Sequence, residues 1–167
     1  MNNEAAEIIN RLELISHPEG GYFKEVYRSD GIIQKNSLPD NMNGERNFST
    51  SIYYMLVGNQ VSLFHSLKSD EIWHHYKGSA ILLHLFNDAG YSLVKIGAKI
   101  ELNETLQFAV PAGSWFAAEV EDKVSYSLLG CTVAPGFDFS DFELAKRNDL
   151  IKKFPDYKSI IERFTIE

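Results

Sequence analysis

Apolar positions near the start of the chain recur at three- and four-residue steps: Ala5, Ile8, Ile9, Leu12 and Ile15. That spacing predicts one amphipathic helix, because residues three and four apart share a helix face. His17-Pro18-Glu19-Gly20-Gly21 ends it, since Pro and paired Gly interrupt regular backbone. Tyr22 to Arg28 reads as a strand. Residues 30–46, rich in Gly, Asn, Asp and Pro, read as a long loop of the kind that often carries function. From Phe48 the period changes. Aromatic, β-branched and aliphatic runs fall at 48–57, 61–67, 71–76, 79–86, 91–96, 105–110, 115–120 and 124–133. Turn signals separate them, among them Gly58-Asn59, Lys77-Gly78, Asn87-Asp88-Ala89-Gly90 and Pro111-Ala112-Gly113. In the last run Val124, Tyr126 and Leu128 alternate with Ser125 and Ser127, as in a strand with one buried face. Two short helical patterns, about 140–153 and 156–164, close the chain. Many short strands with regular turns predict an all-β sandwich or barrel, here with an N-terminal helix and short C-terminal helices.

Composition bounds this picture. A length of 167 residues suits one domain, 1–167, and 44% hydrophobic residues can fill its core. The net charge is −7 and no basic stripe occurs, which excludes phosphate-dominated nucleic-acid binding. No window approaches the roughly 18 apolar residues of a membrane span. The opening MNNEAAEIINRLEL is acidic and lacks the basic start and apolar run of a signal peptide. The expectation is a cytoplasmic protein without a membrane partner. The single cysteine, Cys131, cannot form an internal disulfide and reads as a small buried hydrophobe.

Gly58 to Gly78, GNQVSLFHSLKSDEIWHHYKG, resembles the first motif of the cupin superfamily, with His65, Glu71 and Gly78 at matching positions. Pro111-Ala112-Gly113 resembles the Pro-x-Gly turn of the second motif. The phrases HPEGGYFKEVYRS (17–29), SIYYML (51–56), DEIWHHYKG (70–78), VPAGSWFAA (110–118) and LLGCTVAPGFDFSDFELA (128–145) resemble the small single-domain branch called cupin family five, most of whose members have no assigned activity. The resemblance runs from about Leu12 to Ala145. It implies a double-stranded β-helix (jelly-roll) barrel, a small-molecule pocket inside it, and a homodimer. Metal-binding cupins use two His and a Glu from the first motif and a His from the second. Here the second His position is Leu67 and the later one is Phe116, so only His65 and Glu71 survive and the resemblance implies no standard metal site.

The surviving polar groups suggest three kinds of chemistry. Without metal, His65 beside Glu71 is a base with an orienting carboxylate, and a tyrosine across the pocket, Tyr53, Tyr54 or Tyr126, supplies the acid. Strand parity lets only one of Tyr53 and Tyr54 face inward, and Tyr53 is the catalytic candidate. Metal-free cupin-fold sugar epimerases look similar in this respect, although their phosphate-binding Lys and Arg are not evident here. Such a site would act on a sugar-like or other polar carbonyl compound. With metal, His65, Glu71 and His75 would form a two-His, one-carboxylate set for one divalent transition metal. His74 replaces His75 if a bulge reverses the faces. A third reading is a ligand-binding or structural dimer without catalysis. Trp73, Trp115 and Phe116 are candidate pocket aromatics, with His74 and His75 as further lining. Arg28 is the candidate anion-binding residue. Lys68 and Lys77 read as solvated charges, His84 as a core or interface histidine, and His17 as support for its turn. Phe137, Phe139 and Phe142 are expected at the barrel end or a dimer seam, with Asp138 and Asp141 as capping groups.

Overall fold

The computed structural model describes residues 3–166. Helix α1 spans Asn3–Leu12 and stops where Glu13 adopts a positive φ of 54°. The strands follow in order: β1 Ile15–Ser16, β2 Tyr22–Arg28, β3 Ile32–Ile33, β4 Arg46–Asn47, β5 Thr50–Val57, β6 Val61–Leu67, β7 Asp70–Gly78, β8 Ile81–Asn87, β9 Gly90–Ile96, β10 Gln107–Val110, β11 Trp115–Val120, β12 Tyr126–Ala134 and β13 Phe142–Leu144. Helices α2, Arg147–Lys153, and α3, Lys158–Arg163, close the chain. The expected strands are present with shifted ends. The helical pattern expected over 140–153 is only half helix. Residues 139–141 form a 3-10 turn, and Phe142–Leu144 pair with β6 as an edge strand. Edge pairing there satisfies backbone groups that a helix would have satisfied internally. The expected loop 30–46 holds a small ribbon, Ile32 opposite Asn47 and Ile33 opposite Arg46.

Two antiparallel sheets form the barrel walls. One runs β1-β2-β5-β12-β7-β10 and the other β13-β6-β11-β8-β9. Strand side chains alternate between faces, and the apolar positions sort accordingly. The inner set includes Tyr54, Leu56, Trp73, Leu83, Phe116, Leu129 and Cys131. The outer face of the first sheet offers Met55, Tyr126 and Leu128 to α1. The outer face of the second offers Phe64, Phe86 and Ala117 to α2 and α3. Neither helix group enters the barrel. Among the described residues no helix is long and apolar enough to cross a membrane.

Two turns project from this frame into one end of the barrel. In the turn at 17–21, the Gly20 N–H donates to the His17 carbonyl at 3.0 Å and the Gly20 carbonyl accepts from the Tyr54 hydroxyl at 2.9 Å. The Leu63 N–H donates to the Glu19 carbonyl at 2.8 Å, which ties the turn to β6. The second turn, 137–142, is anchored by a buried pair. Arg46 Nε and Nη2 donate to the two Asp141 oxygens at 2.7 and 2.8 Å. Asp141 is therefore an ion-pair partner rather than a cap, while Asp138 does cap its 3-10 turn through the Ser140 N–H at 2.8 Å.

Gly20 has φ 112°, and a Cβ on it would lie 2.1 Å from the Val61 carbonyl oxygen; Gly90 has a similar φ of 103° with open space around it. Gly90→Ala should therefore cost about 1–2 kcal/mol, the conformational strain alone. Gly20→Ala adds a backbone clash and should cost clearly more in chemical denaturation. Equal losses would mean that the 17–21 turn is not pressed against β6.

Candidate functional site

Between the two turns lies a cavity of about 240 Å³. Its deep end is lined by Glu19, Tyr54, His65, Glu71, Trp73 and Cys131, all buried. Its mouth is marked by the exposed Glu25, Arg28 and Phe139. His17, Phe23, Leu67, Phe137, Asp138 and Phe142 line the walls between.

Strand parity and one turn assemble the deep end. β6 turns His65 inward, and the Phe116 ring on neighbouring β11 packs behind it with centroids 4.0 Å apart. β7 turns Glu71 and Trp73 inward. The indole N–H of Trp73 donates to Glu71 Oε2 at 2.8 Å. Among the described residues that is the only hydrogen bond to this carboxyl group. β5 turns Tyr54 inward and Tyr53 outward. Tyr53 packs with the α1 layer and stands edge-on to Tyr76 at 6.2 Å. The inward tyrosine is thus Tyr54, and Tyr53 lies outside the cavity.

Glu19, carried by the 17–21 turn, is the partner of His65: their Oε2 and Nε2 lie 3.0 Å apart. The other ring nitrogen, Nδ1, is 2.7 Å from the Leu63 carbonyl and must donate to it. The neutral imidazole therefore points a lone pair at Glu19, and a single proton has to lie between the two groups. Burial pushes the His65 pKa down and the Glu19 pKa up. Both directions put that proton on Glu19, whose carboxyl donates to His65 Nε2. Glu19 Oε1 accepts from Ser62 Oγ at 3.0 Å. His17 Nδ1 accepts from the Glu19 N–H at 3.3 Å, and burial lowers its pKa as well. Glu71 is raised to about 7, chiefly by burial. Burial also pushes Tyr54 and Cys131 well up, so both stay protonated near neutrality.

Other expected residues fall elsewhere. Trp115 faces outward, half-buried among the residues packed against the C-terminal helices. His75 is four residues along β7 from Glu71, about 13 Å at the strand rise. Its Nε2 meets the Ser79 carbonyl at 3.2 Å. A β-bulge follows His75, leaving Tyr76 without a partner on β12, and His74 pairs opposite Gly130. Neither histidine lines the cavity, so the set His65, Glu71 and His75 is not brought together. Among the described residues no group of three His, Cys, Asp or Glu side chains is placed to hold a metal ion. At the two motif positions lacking His, Leu67 supplies cavity wall and Phe116 packing. The residues do not fit the standard cupin metal. Arg28 does line the cavity, but its donors are committed. Nε and Nη2 bind both Glu25 oxygens at 2.9 and 2.7 Å, Nη1 binds Asn47 Oδ1 at 2.9 Å, and both Nη atoms reach the Phe137 carbonyl at 3.2 Å. His84 lies outside the cavity beside Tyr91, with Nδ1 2.8 Å from its hydroxyl. Glu19 was missed from sequence. Its signal is an acid inside the turn His17-Pro18-Glu19-Gly20-Gly21, two residues from an imidazole and just before strand β2.

The family model described as cupin superfamily, DUF985, matches residues 6–145. An uncharacterized protein of Saccharomyces cerevisiae, YML079W, is 30% identical over 155 residues, covering 87% of this chain and 77% of that one. The structure of a hypothetical protein from Leishmania major is similar, with TM-score 0.86, 32% identity and coverage of 98% of this chain and 99% of that one. The structure of protein SO0799 from Shewanella oneidensis is similar too, with TM-score 0.87, 32% identity and coverage of 99% of each chain.

The raised Glu71 has a consequence for stability. Its carboxyl titrates near 4.5 when unfolded and at about 7 in the fold. The fold thus favours the protonated form, and this contribution is full below pH 4.5 and lost as pH rises through 7. Glu71→Gln keeps the acceptor for Trp73 and removes the titration. The stability of the variant relative to the parent should grow between pH 4.5 and 8, by up to about 3 kcal/mol. Urea denaturation at both pH values measures this, and a pH-independent difference would contradict it.

Proposed function

The chain belongs to the DUF985 branch of the cupin superfamily, and on that footing we propose that it binds a small polar carbonyl compound in its barrel and moves a proton on it, as a metal-independent isomerase or epimerase does. The observation that carries this reading is the division of labour among the buried acids. One proton is locked between Glu19 and His65 at 3.0 Å. Glu71, six residues beyond His65 and on the neighbouring sheet, titrates at about 7 and keeps a carboxyl oxygen free of partners among the described residues. A proton-transfer group works best when its pKa lies near the working pH, because both of its forms are then populated.

In this reading Glu71 takes the proton from the carbon beside the carbonyl, the C–H electron pair passes to the carbonyl oxygen as an enolate, and the pair re-forms a C–H bond when Glu71 returns the proton to the same carbon; where that carbon carries a hydroxyl, its proton passing to the enolate oxygen gives the enediolate from which the adjacent carbon can be protonated instead. The Trp73 bond to Oε2 holds the carboxyl group in place and leaves the other oxygen to accept the proton. Tyr54, held protonated, borders the same space, but its hydroxyl already donates to the Gly20 carbonyl at 2.9 Å. It is a positioning residue for the turn rather than the acid. His65 likewise acts through Glu19, as an acceptor that keeps that carboxyl neutral and so limits the negative charge beside Glu71.

Proton exchange is read directly in deuterium oxide. Hydroxyacetone, dihydroxyacetone and aminoacetone, followed by proton NMR, should lose signal beside the carbonyl faster with protein than with buffer for at least one of the three. The rate should inflect near pH 7. Glu71→Gln should slow it by 10²-fold or more, the usual scale for a lost acid–base group. No acceleration with any of the three compounds, or an unchanged rate in the variant, would overturn the proposal.

A further inference from the structure

The charges around the cavity are lopsided once each is followed to its partner. Four carboxyl groups line it, Glu19, Glu25, Glu71 and Asp138, against a single guanidinium, Arg28. All five Arg28 N–H groups are engaged, two of them in a bidentate pair with Glu25, the others on Asn47 Oδ1 and the Phe137 carbonyl. The two lining histidines are held towards their neutral forms by burial. Asp138, next to the mouth, is kept ionised by the Ser140 hydrogen bonds and by Arg46 and Arg28. An entering anion would meet no free cation, and would approach the Asp138 carboxylate at the mouth and the Glu71 carboxyl group in the floor. Desolvating an unpaired charge is costly.

The apolar part of the wall points the same way. Phe137, Phe139 and Phe142 come from one turn and stand at steep angles to one another. Phe137 and Phe139 are 5.0 Å apart at 79°, and Phe142 lies 6.4 Å from each at 66° and 77°. Deeper in, Tyr54 and Trp73 meet at 5.7 Å and 64°. All five rings border the cavity. The face of an aromatic ring attracts a cation, most strongly where water is excluded. Aromatic walls with carboxyl groups at the mouth and in the floor, one of them able to ionise near neutrality, and with no available cation, are the elements of an organic-cation site.

We infer that the ligand of this cavity carries a positive charge, as a small ammonium compound, and that phosphorylated or carboxylate compounds are excluded. The inference rests on the proposed reading of the cavity as the ligand site, and narrows its substrate class to amine-bearing carbonyl compounds. Glu25 is the selectivity element. It supplies negative charge at the mouth and occupies the Arg28 guanidinium, which would otherwise be an anion receptor.

The test is equilibrium binding, followed by Trp fluorescence and calorimetry, so it does not depend on turnover. The probes are choline, its uncharged isostere 3,3-dimethylbutan-1-ol, and inorganic phosphate. Choline should bind the parent protein about tenfold or more tightly than the isostere, the size of one desolvated cation–π contact, and phosphate should not bind. Glu25→Gln, at an exposed position, should weaken choline several-fold and make phosphate binding measurable through the released Arg28. Isostere binding as tight as choline, phosphate binding to the parent protein, or no binding of choline would each overturn the charge assignment. Isostere binding without a choline preference would leave the cavity as a ligand site and remove only its charge class.

Discussion

A carboxyl group and an imidazole 3.0 Å apart, each with its remaining polar atoms occupied, must hold one proton between them, and this constraint organises the interior of the barrel. The Leu63 carbonyl fixes the His65 tautomer, so the lone pair of Nε2 faces Glu19. Were Glu19 ionised and His65 neutral, two electron-rich atoms would be pressed together in a buried space. The neutral pair avoids this at the cost of requiring Glu19 at one position. That position is set by the 17–21 turn, which Gly20 brings against the Val61 carbonyl and Tyr54 clasps from β5. The turn, the two sheets and the tyrosine therefore act as one unit around a single hydrogen.

Much of the frame is readable in the chain because its causes are local. Alternation and turn residues give the strands, and the cupin phrases give the barrel. The inward choice of His65, Glu71 and Trp73 follows from parity on β6 and β7. Parity also made Tyr53 and Tyr54 exclusive alternatives, but not which was which. That choice was made by α1, which covers the face carrying Met55 and Leu128 and takes Tyr53 with it. Trp115 went outward for the same kind of reason, since the C-terminal helices needed an apolar partner on the second sheet. These decisions belong to packing between distant segments, where periodicity carries no information.

The partner of His65 was illegible for a different reason. Glu71 sits six residues away in the same motif, and Glu19 sits 46 residues upstream in a turn that reads as punctuation. Only the closing of the first sheet onto β6, through the Leu63 N–H and the Glu19 carbonyl, brings that turn inside. Arg28 is the mirror case. As a residue type it signals an anion site, and only the position of Glu25, Asn47 and the Phe137 carbonyl reveals that its donors are already engaged.

The two conclusions about the cavity are linked through Glu71. Its carboxyl is raised to about 7, chiefly by burial, so near neutrality it is divided between its two forms. A cation entering the same space stabilises the carboxylate, because an opposite charge nearby favours ionisation. The proton that Glu71 releases leaves it as a base at the moment a ligand is present. An uncharged ligand would bring only further desolvation and push the carboxyl the other way, towards a form unable to accept a proton. A site that raises the pKa of its proton-transfer group by burial therefore gains most from a ligand that lowers it again. On the two proposals together, the carboxyl group that favours a cation would be made competent by it.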